Sequence, residues 1–151
     1  MDGLKFIALD AEDLAVVSAH VQDAEVIVRD VIWRPQEHRL IMALARFDWL
    51  AAATEPPQLR RCRSALRFER VVSLKGRNID PAARDLQLNL LAVEFHETDA
   101  PGGIVTLLFE DDVTLRLEVE CLEAELADLG EAWTVNARPD HPEIQDDLAA
   151  P

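Results

Sequence analysis

Residues 103–130 decide the fold class of this chain: GIVTLLFEDDVTLRLEVECLEAELADLG. Two apolar segments are joined here by a short acidic turn, which predicts a pair of antiparallel strands. From Val113 to Cys121 apolar residues alternate with polar ones, and this two-residue period is typical of a half-buried strand. We expect its buried face to carry Leu115, Leu117 and Val119, and its solvent face to carry Arg116 and Glu118.

The end of the same stretch predicts a short helix. Leu122, Leu126 and Leu129 recur at helical spacing, and Gly130 stands where a left-handed residue would end a helix. Cys121 continues the apolar face of the strand, so we expect a small buried thiol there.

The rest of the chain reads as further strands with one early helix. Asp10 is a good N-cap for a helix that ends near Asp23 and buries Leu14, Val17 and Val21. Strands are predicted over residues 4–9, 24–33, 39–47, 63–75 and 86–97.

Two of the predicted strands change their apolar phase midway, which predicts a bulge or a bend. In residues 24–33 the phase changes between Val28 and Val31, and in residues 86–97 it changes between Leu90 and Leu91. A flat sheet does not need such bends, but a curled one does. The predicted fold is therefore α+β, with a curled antiparallel sheet or partly closed barrel of six to seven strands, one helix near the N-terminus and one at the C-terminus. The pleckstrin-homology-like barrel has a similar layout.

Length and composition predict one domain over residues 1–138 and an acidic, disordered tail over residues 139–151. No apolar run reaches the ~18 residues of a membrane span, so we expect a cytoplasmic protein without membrane contact. The two cysteines, Cys62 and Cys121, are too few to suggest a disulfide framework.

The net charge of −14 is unevenly distributed along the chain. Residues 1–93 contain thirteen acids and thirteen bases, whereas from Glu94 onward sixteen acids stand against only Arg116 and Arg138. Such a charge argues against nucleic acid as a partner, because phosphate binding needs the opposite sign. The acidic half serves solubility or docks a basic protein partner.

A basic segment runs from Arg60 to Arg84, and its predicted strand directs Arg63, Arg67 and Lys75 outward. These side chains either offset the acidic half of the same molecule or form an anion or partner patch. In the second case the patch could bind the acidic half of another copy, which would give a homodimer that is sensitive to salt.

One set of residues could hold a metal ion. If the strand ending near Glu97 lay beside the strand ending near Cys121, then Glu94, His96, Glu118 and Glu120 would share one solvent face. Three carboxylates and an imidazole suit a hard or borderline divalent metal. Solvated strand faces often have this composition too, so a solvent-exposed strand face without a metal ion remains the alternative.

Several segments together resemble an uncharacterised bacterial family, catalogued as domain of unknown function 2948. They are FIALDAEDLAVVSAHVQDA, RFDW, RFERV and LEVECLEAELADLG, and the resemblance extends from Leu4 to Arg138. It implies one intact domain in a bacterial cytoplasm, and it supplies no activity, cofactor or catalytic residue.

Two function classes follow from the sequence. The first is a non-catalytic binding or adaptor module that contacts a protein partner or a copy of itself. The second is a small metal-dependent enzyme or metal-binding domain that uses the carboxylate–histidine face. We favour the first, without a cofactor, because the sequence contains no phosphate loop, no serine elbow and no cysteine signature.

Overall fold

The computed structural model of the protein describes residues 3–140, which form ten strands, two α-helices and two 3₁₀ turns. All ten strands belong to one antiparallel sheet in the order β1-β10-β5-β4-β2-β7-β8-β9-β6, and β3 pairs with β4 beside this path. The strands are β1 (Lys5–Ala8), β2 (Ala24–Ile27), β3 (Val31–Arg34), β4 (Arg39–Phe47), β5 (Arg60–Phe68), β6 (Val71–Arg77), β7 (Gln87–Glu97), β8 (Gly103–Phe109), β9 (Thr114–Val119) and β10 (Ala124–Thr134).

The α+β class and the antiparallel sheet are confirmed, but the predicted strand number is wrong. The described residues contain ten strands rather than six or seven, because two of the predicted strands are divided and the segment predicted as the C-terminal helix is also a strand. Within residues 3–140 the sheet is not closed, since its end strand β6 pairs neither with β1 at the other end nor with β3.

The early helix forms where the sequence predicts it, as α1 (Ala11–Val21). The Asp10 carboxylate accepts a hydrogen bond of 2.8 Å from the N–H of Asp13, which satisfies one of the free donors in the first turn. Leu14, Val17 and Val21 are fully buried against the sheet. The second helix, α2 (Trp49–Ala52), is a single turn capped by Asp48.

The bend predicted in residues 24–33 is a 3₁₀ turn at Val28–Asp30, which separates β2 from β3. The β2 strand pairs with β7 along its length and touches β4 at one position, whereas β3 pairs with β4 and with no other strand of residues 3–140. The bend therefore leaves the second edge of β3 without a strand neighbour. The phase change in β7 is a register shift against β8 between Leu90 and Ala92.

The single strand predicted over residues 63–75 is two strands that meet at a corner. Glu69 and Arg70 form this corner, and Arg70 adopts a left-handed backbone with φ of 60°. Val71 is buried and Val72 is 49% exposed, so the alternation that starts in β5 does not continue into β6. The β5 strand lies between β10 and β4, while β6 has β9 as its single strand partner among the described residues, at the far end of the sheet.

The helix predicted after Cys121 is wrong, because this segment begins β10. Leu122, Ala124 and Leu126 are buried at alternate positions, and β10 pairs with β1 on one side and β5 on the other. Gly130 has φ of +95° and lies where the register with β5 shifts, so it marks a bulge rather than a helix end. The pleckstrin-homology-like layout, which needs a helix here, is wrong as well.

The predicted phase of β9 is confirmed: Leu115, Leu117 and Val119 lie in the core, and Arg116 and Glu118 are exposed. The core is one cluster of buried residues contributed by α1 and by the strands of the sheet.

Both cysteines are free; Cys62 is buried, but Cys121, which was expected to be buried, is only partly so. None of the helices within residues 3–140 has the length and hydropathy that crossing a membrane requires. The predicted tail falls, from residue 141 onward, outside the described residues.

Candidate ligand pocket

Residues of β3 and β6 line one cavity, although no strand pairing joins these two strands within residues 3–140. On one side of the cavity, the N–H of Val71 donates a hydrogen bond of 2.9 Å to the carbonyl of His38. On the other side, the N–H of Arg29 donates a hydrogen bond of 3.0 Å to the carbonyl of Arg84. We call the opening between these two contacts the seam.

The seam cavity has a volume of about 470 Å³ and a mostly apolar lining. Its deepest residues are Val28 and Leu115, which are 6% and 3% exposed. The walls are only partly buried, so the cavity opens to solvent. The apolar side chains of the walls come from β3 (Val31, Trp33), from β6 (Leu74) and from the following loop (Ile79, Pro81).

Gly76 allows the loop to form one wall of the cavity. A Cβ atom at this position would lie 2.6 Å from Cγ2 of Ile79, closer than real Cβ contacts. A larger residue at position 76 would therefore push Ile79 away from β6 and change the shape of the cavity.

Two arginines, Arg29 and Arg84, are the charged residues of the lining. The guanidinium of Arg29 forms an ion pair with Asp85, whose side chain is 91% exposed. The side chain of Arg84 is exposed and forms no ion pair with any of residues 3–140. Among residues 3–140, the lining contains no serine, cysteine, histidine or carboxylate. The cavity therefore offers apolar contact and positive charge, and it presents no nucleophile or general base.

A buried polar cluster lies elsewhere, across the four neighbouring strands β1, β10, β5 and β4. Arg46 donates two hydrogen bonds to the Asp128 carboxylate, from Nε to Oδ1 at 2.8 Å and from Nη2 to Oδ2 at 2.7 Å. Ser64 Oγ donates to Oδ1 at 2.6 Å, and the N–H of Leu4, just before β1, donates to Oδ2 at 2.9 Å. Burial alone would raise the pKa of Asp128, but these donors outweigh it and lower the pKa to about 2.

Asp48 extends the charged region beside this cluster. Its carboxylate accepts hydrogen bonds from the N–H of Ala51 and from Nε of Arg60, at 3.0 and 2.8 Å. These bonds overcome the effect of burial and lower the pKa of Asp48. Burial raises the pKa of the nearby Cys62 thiol, so this cysteine is not an activated nucleophile. The saturated hydrogen bonding of both carboxylates indicates a structural role for the cluster.

The four predicted metal ligands are not brought together. Glu94 and His96 lie on β7 and Glu118 on β9, but β8 runs between these strands, and its Ile104 pairs with both His96 and Glu118. Two strand spacings, about 10 Å, therefore separate the two backbones. Glu120 lies beyond the end of β9. Within residues 3–140 no three His, Cys, Asp or Glu side chains are placed to hold a metal ion. The assumed strand neighbourhood is wrong, and a metal site stays a prediction without geometric support.

The three predicted patch residues are divided between two distant strands. Arg63 and Arg67 lie on β5, and Lys75 lies on β6. Arg67 is 3.2 Å from a carboxylate oxygen of Glu69 and 3.6 Å from one of Glu125, so its charge is offset within the molecule. The guanidinium of Arg63 lies 6.0 Å from the ring centroid of Trp133.

Lys75 belongs to a different basic surface on the outer face of β6 and β9. It lies directly opposite Arg116, and these two residues line a shallow groove together with Arg77 and His96. Like charges placed directly opposite each other on neighbouring strands repel. Sequence reasoning missed this surface because β6 and β9 are far apart along the chain.

Sequence reasoning also missed the seam pocket, since its lining comes from three distant stretches of the chain: residues 28–33, residues 74–84 and Leu115. Two local signals were present: the phase change that precedes Val31, and the apolar Ile79 inside the polar segment Gly76–Asp85. Neither signal indicates that β3 and β6 lie across one opening from each other.

The fold and the cavity define a class of protein: an α+β domain whose antiparallel sheet stays open and leaves one apolar, arginine-rimmed pocket at the opening. The chain belongs to the family described as "Protein of unknown function (DUF2948)", whose model matches residues 4–141. No curated protein and no solved structure matches the chain.

Proposed function

We propose that this protein is a non-catalytic binding module whose ligand enters the seam pocket. The observation that carries the proposal is the apolar cavity between β3 and β6, which contains no side chain able to act as nucleophile, acid or base. Its volume of about 470 Å³ lies within the range of ~300–1,000 Å³ that is common for small-molecule sites.

A small ligand suits the pocket better than the protein partner that the sequence favours. Backbone hydrogen bonds bound the opening on both sides, through His38 with Val71 and through Arg29 with Arg84. An extended peptide strand that paired with β3 or β6 would have to displace one of them. A compact apolar group can enter without breaking either bond.

Trp33 provides a built-in reporter, because its indole lines the pocket and is only partly buried. The other two tryptophans, Trp49 and Trp133, are removed by substitution with Phe, which leaves Trp33 as the single source of indole fluorescence. The neutral probe 1-octanol is then titrated into this reporter protein. We expect a saturable change in Trp33 emission with one-site behaviour, since the indole exchanges water for alkyl contact.

A matched pair of variants tests the location. Val31→Phe adds volume inside the pocket and should weaken 1-octanol binding at least tenfold. Ile32→Phe adds the same ring to the next residue of β3, which is 42% exposed and outside the lining, and should leave binding unchanged. An absence of saturable binding in the reporter protein, or an equal loss in both variants, would refute the proposal.

A further inference from the structure

We infer that the ligand of the seam pocket is an amphipathic carboxylate: an apolar chain fills the cavity, and the anionic group lies at the rim beside Arg84 and Arg29. This inference rests on the proposed function and adds the chemical class of the ligand. The inference is based on two observations: most of the cavity lining is apolar, and two arginines lie at its rim.

The positive charge of the rim is notable in a chain with a net charge of −14. Nine of the thirteen arginines of this protein, exposed ones included, have a carboxylate oxygen within 3.8 Å in the described part of the chain. Arg84 has no such partner among residues 3–140, and the pocket lining contains no acid. The guanidinium of Arg84 is therefore free to pair with an anion that comes with the ligand.

Arg29 provides the second charge, and its present partner is a weak competitor. The Asp85 side chain is 91% exposed, so its ion pair with Arg29 lies in high-dielectric solvent and contributes little. A ligand carboxylate that is partly shielded by Trp33 and Pro81 would interact with a guanidinium more strongly. The planar guanidinium can also donate two parallel hydrogen bonds to one carboxylate.

Among the described residues, the pocket lining offers no acid that would bind a cationic head group. An alkylammonium would place a positive charge next to Arg84 and Arg29, with no carboxylate in the lining to receive it. A neutral alcohol would keep the apolar contacts and lose the ionic ones. Three probes with the same eight-carbon chain therefore separate the contributions: octanoate, 1-octanol and octylamine.

The experiment measures the Kd of each probe with the Trp33 reporter protein at neutral pH and about 150 mM salt, where distant charges are screened. We expect octanoate to bind most tightly and octylamine most weakly. Hexanoate should bind more weakly than octanoate by about fourfold per methylene removed, because each methylene is buried in the cavity.

Arg84→Gln tests the ionic contact, because this exposed loop residue contributes only its backbone carbonyl to the fold. The variant should weaken octanoate binding roughly threefold to tenfold and 1-octanol binding by a clearly smaller factor, because the alcohol has no ionic contact with Arg84 to lose. The control Arg63→Gln removes the same charge from β5, outside the pocket lining, and should change neither Kd. A thermal melt of each variant shows that the fold is retained.

The outcomes distinguish the inference from the proposed function. Equal Kd values for octanoate and 1-octanol, or a preference for octanoate that survives Arg84→Gln, would overturn the carboxylate inference and leave the binding module intact. Tightest binding of octylamine would do the same. If none of the three probes binds saturably, the proposed function itself fails.

Discussion

Removing the charge of Asp128 should reduce the stability of the protein and change how that stability depends on pH. Asp128→Asn keeps the shape of the side chain, but it leaves the guanidinium of Arg46, a residue that is 4% exposed, without a carboxylate. Breaking a buried ion pair by removing one partner costs about 3–5 kcal/mol. The free energy of unfolding at pH 7 should fall by about that amount.

The pH dependence follows from the lowered pKa of Asp128. Its value falls from an ordinary 3.8 to about 2 in the folded protein, so folding favours the ionised carboxylate. The resulting stability is fully present above the unfolded value of 3.8 and is lost as the pH falls through about 2. The lowering corresponds to about 2.5 kcal/mol, at ~1.4 kcal/mol for each tenfold change in the proton equilibrium. Asn has no proton to bind, so the variant lacks this component.

Urea unfolding between pH 7 and pH 2 measures both effects. The difference in unfolding free energy between wild type and Asp128→Asn should shrink by about 2 kcal/mol at pH 2, because only the wild type loses the Asp128 contribution and its folded carboxyl is about half protonated at that pH. Asp48, whose pKa is also lowered, is present in both proteins, so most of its contribution is common to them, although it shares Arg46 with Asp128. Asp112→Asn is the control: this side chain is 70% exposed in its ion pair with Arg77, and its loss should cost under ~1 kcal/mol. A constant difference across the pH range would refute the reasoning.

Two further predictions concern the sheet. Leu117→Ala should lower the free energy of unfolding by about 2–5 kcal/mol, because Leu117 is fully buried. The control Glu118→Ala changes the exposed neighbouring residue and should cost under ~0.5 kcal/mol. Similar losses for both variants in urea melts would contradict the assigned strand phase. Lys75→Glu should stabilise the protein by about 0.2–1 kcal/mol, because the substitution replaces repulsion from Arg116 with attraction. This gain in stability should decrease in 1 M salt, and a loss of stability at low salt would contradict the prediction.

The sequence predicts those parts of the fold whose signals are local. The α1 helix has its cap at Asp10 and its apolar stripe within eleven residues, and β9 has strict alternation over six. Both form as expected, because each segment contains its own period and its own boundary residues. The bend after β2 is equally local, since the phase change near Val28 lies within the strand itself.

The sequence-based prediction fails where one apolar pattern fits both a helix and a strand, and pairing with a distant strand determines which of the two forms. Leu122 and Leu126 are four residues apart, a spacing that suits one face of a helix and also one face of a strand. The strand forms because Ala124 pairs with Ala8 on one side and with Phe68 on the other. These partners lie more than fifty residues away, so no local window contains them.

The seam pocket results from two places where a predicted strand is divided into two, and the sequence indicates these places only in part. The 3₁₀ turn at Val28–Asp30 directs β2 to β7 and leaves β3 with β4 as its strand neighbour. The corner at Glu69 and Arg70 takes the chain from β5 to the far end of the sheet, where β6 has β9 as its neighbour. Each of these strands therefore has one paired edge and one open edge, and the cavity lies where the open edges approach each other.

Closing this opening would require β3 and β6 to pair, which would fill the cavity with their own side chains. The open arrangement instead leaves Val31, Trp33 and Leu74 partly exposed to water. Exposed apolar area costs roughly 25 cal/mol per Å², so an apolar ligand that covers these residues would stabilise the folded chain. The same interruptions of the predicted strands that keep the sheet from becoming a closed barrel thus create the opening at which the proposed ligand would couple its binding to the stability of the fold.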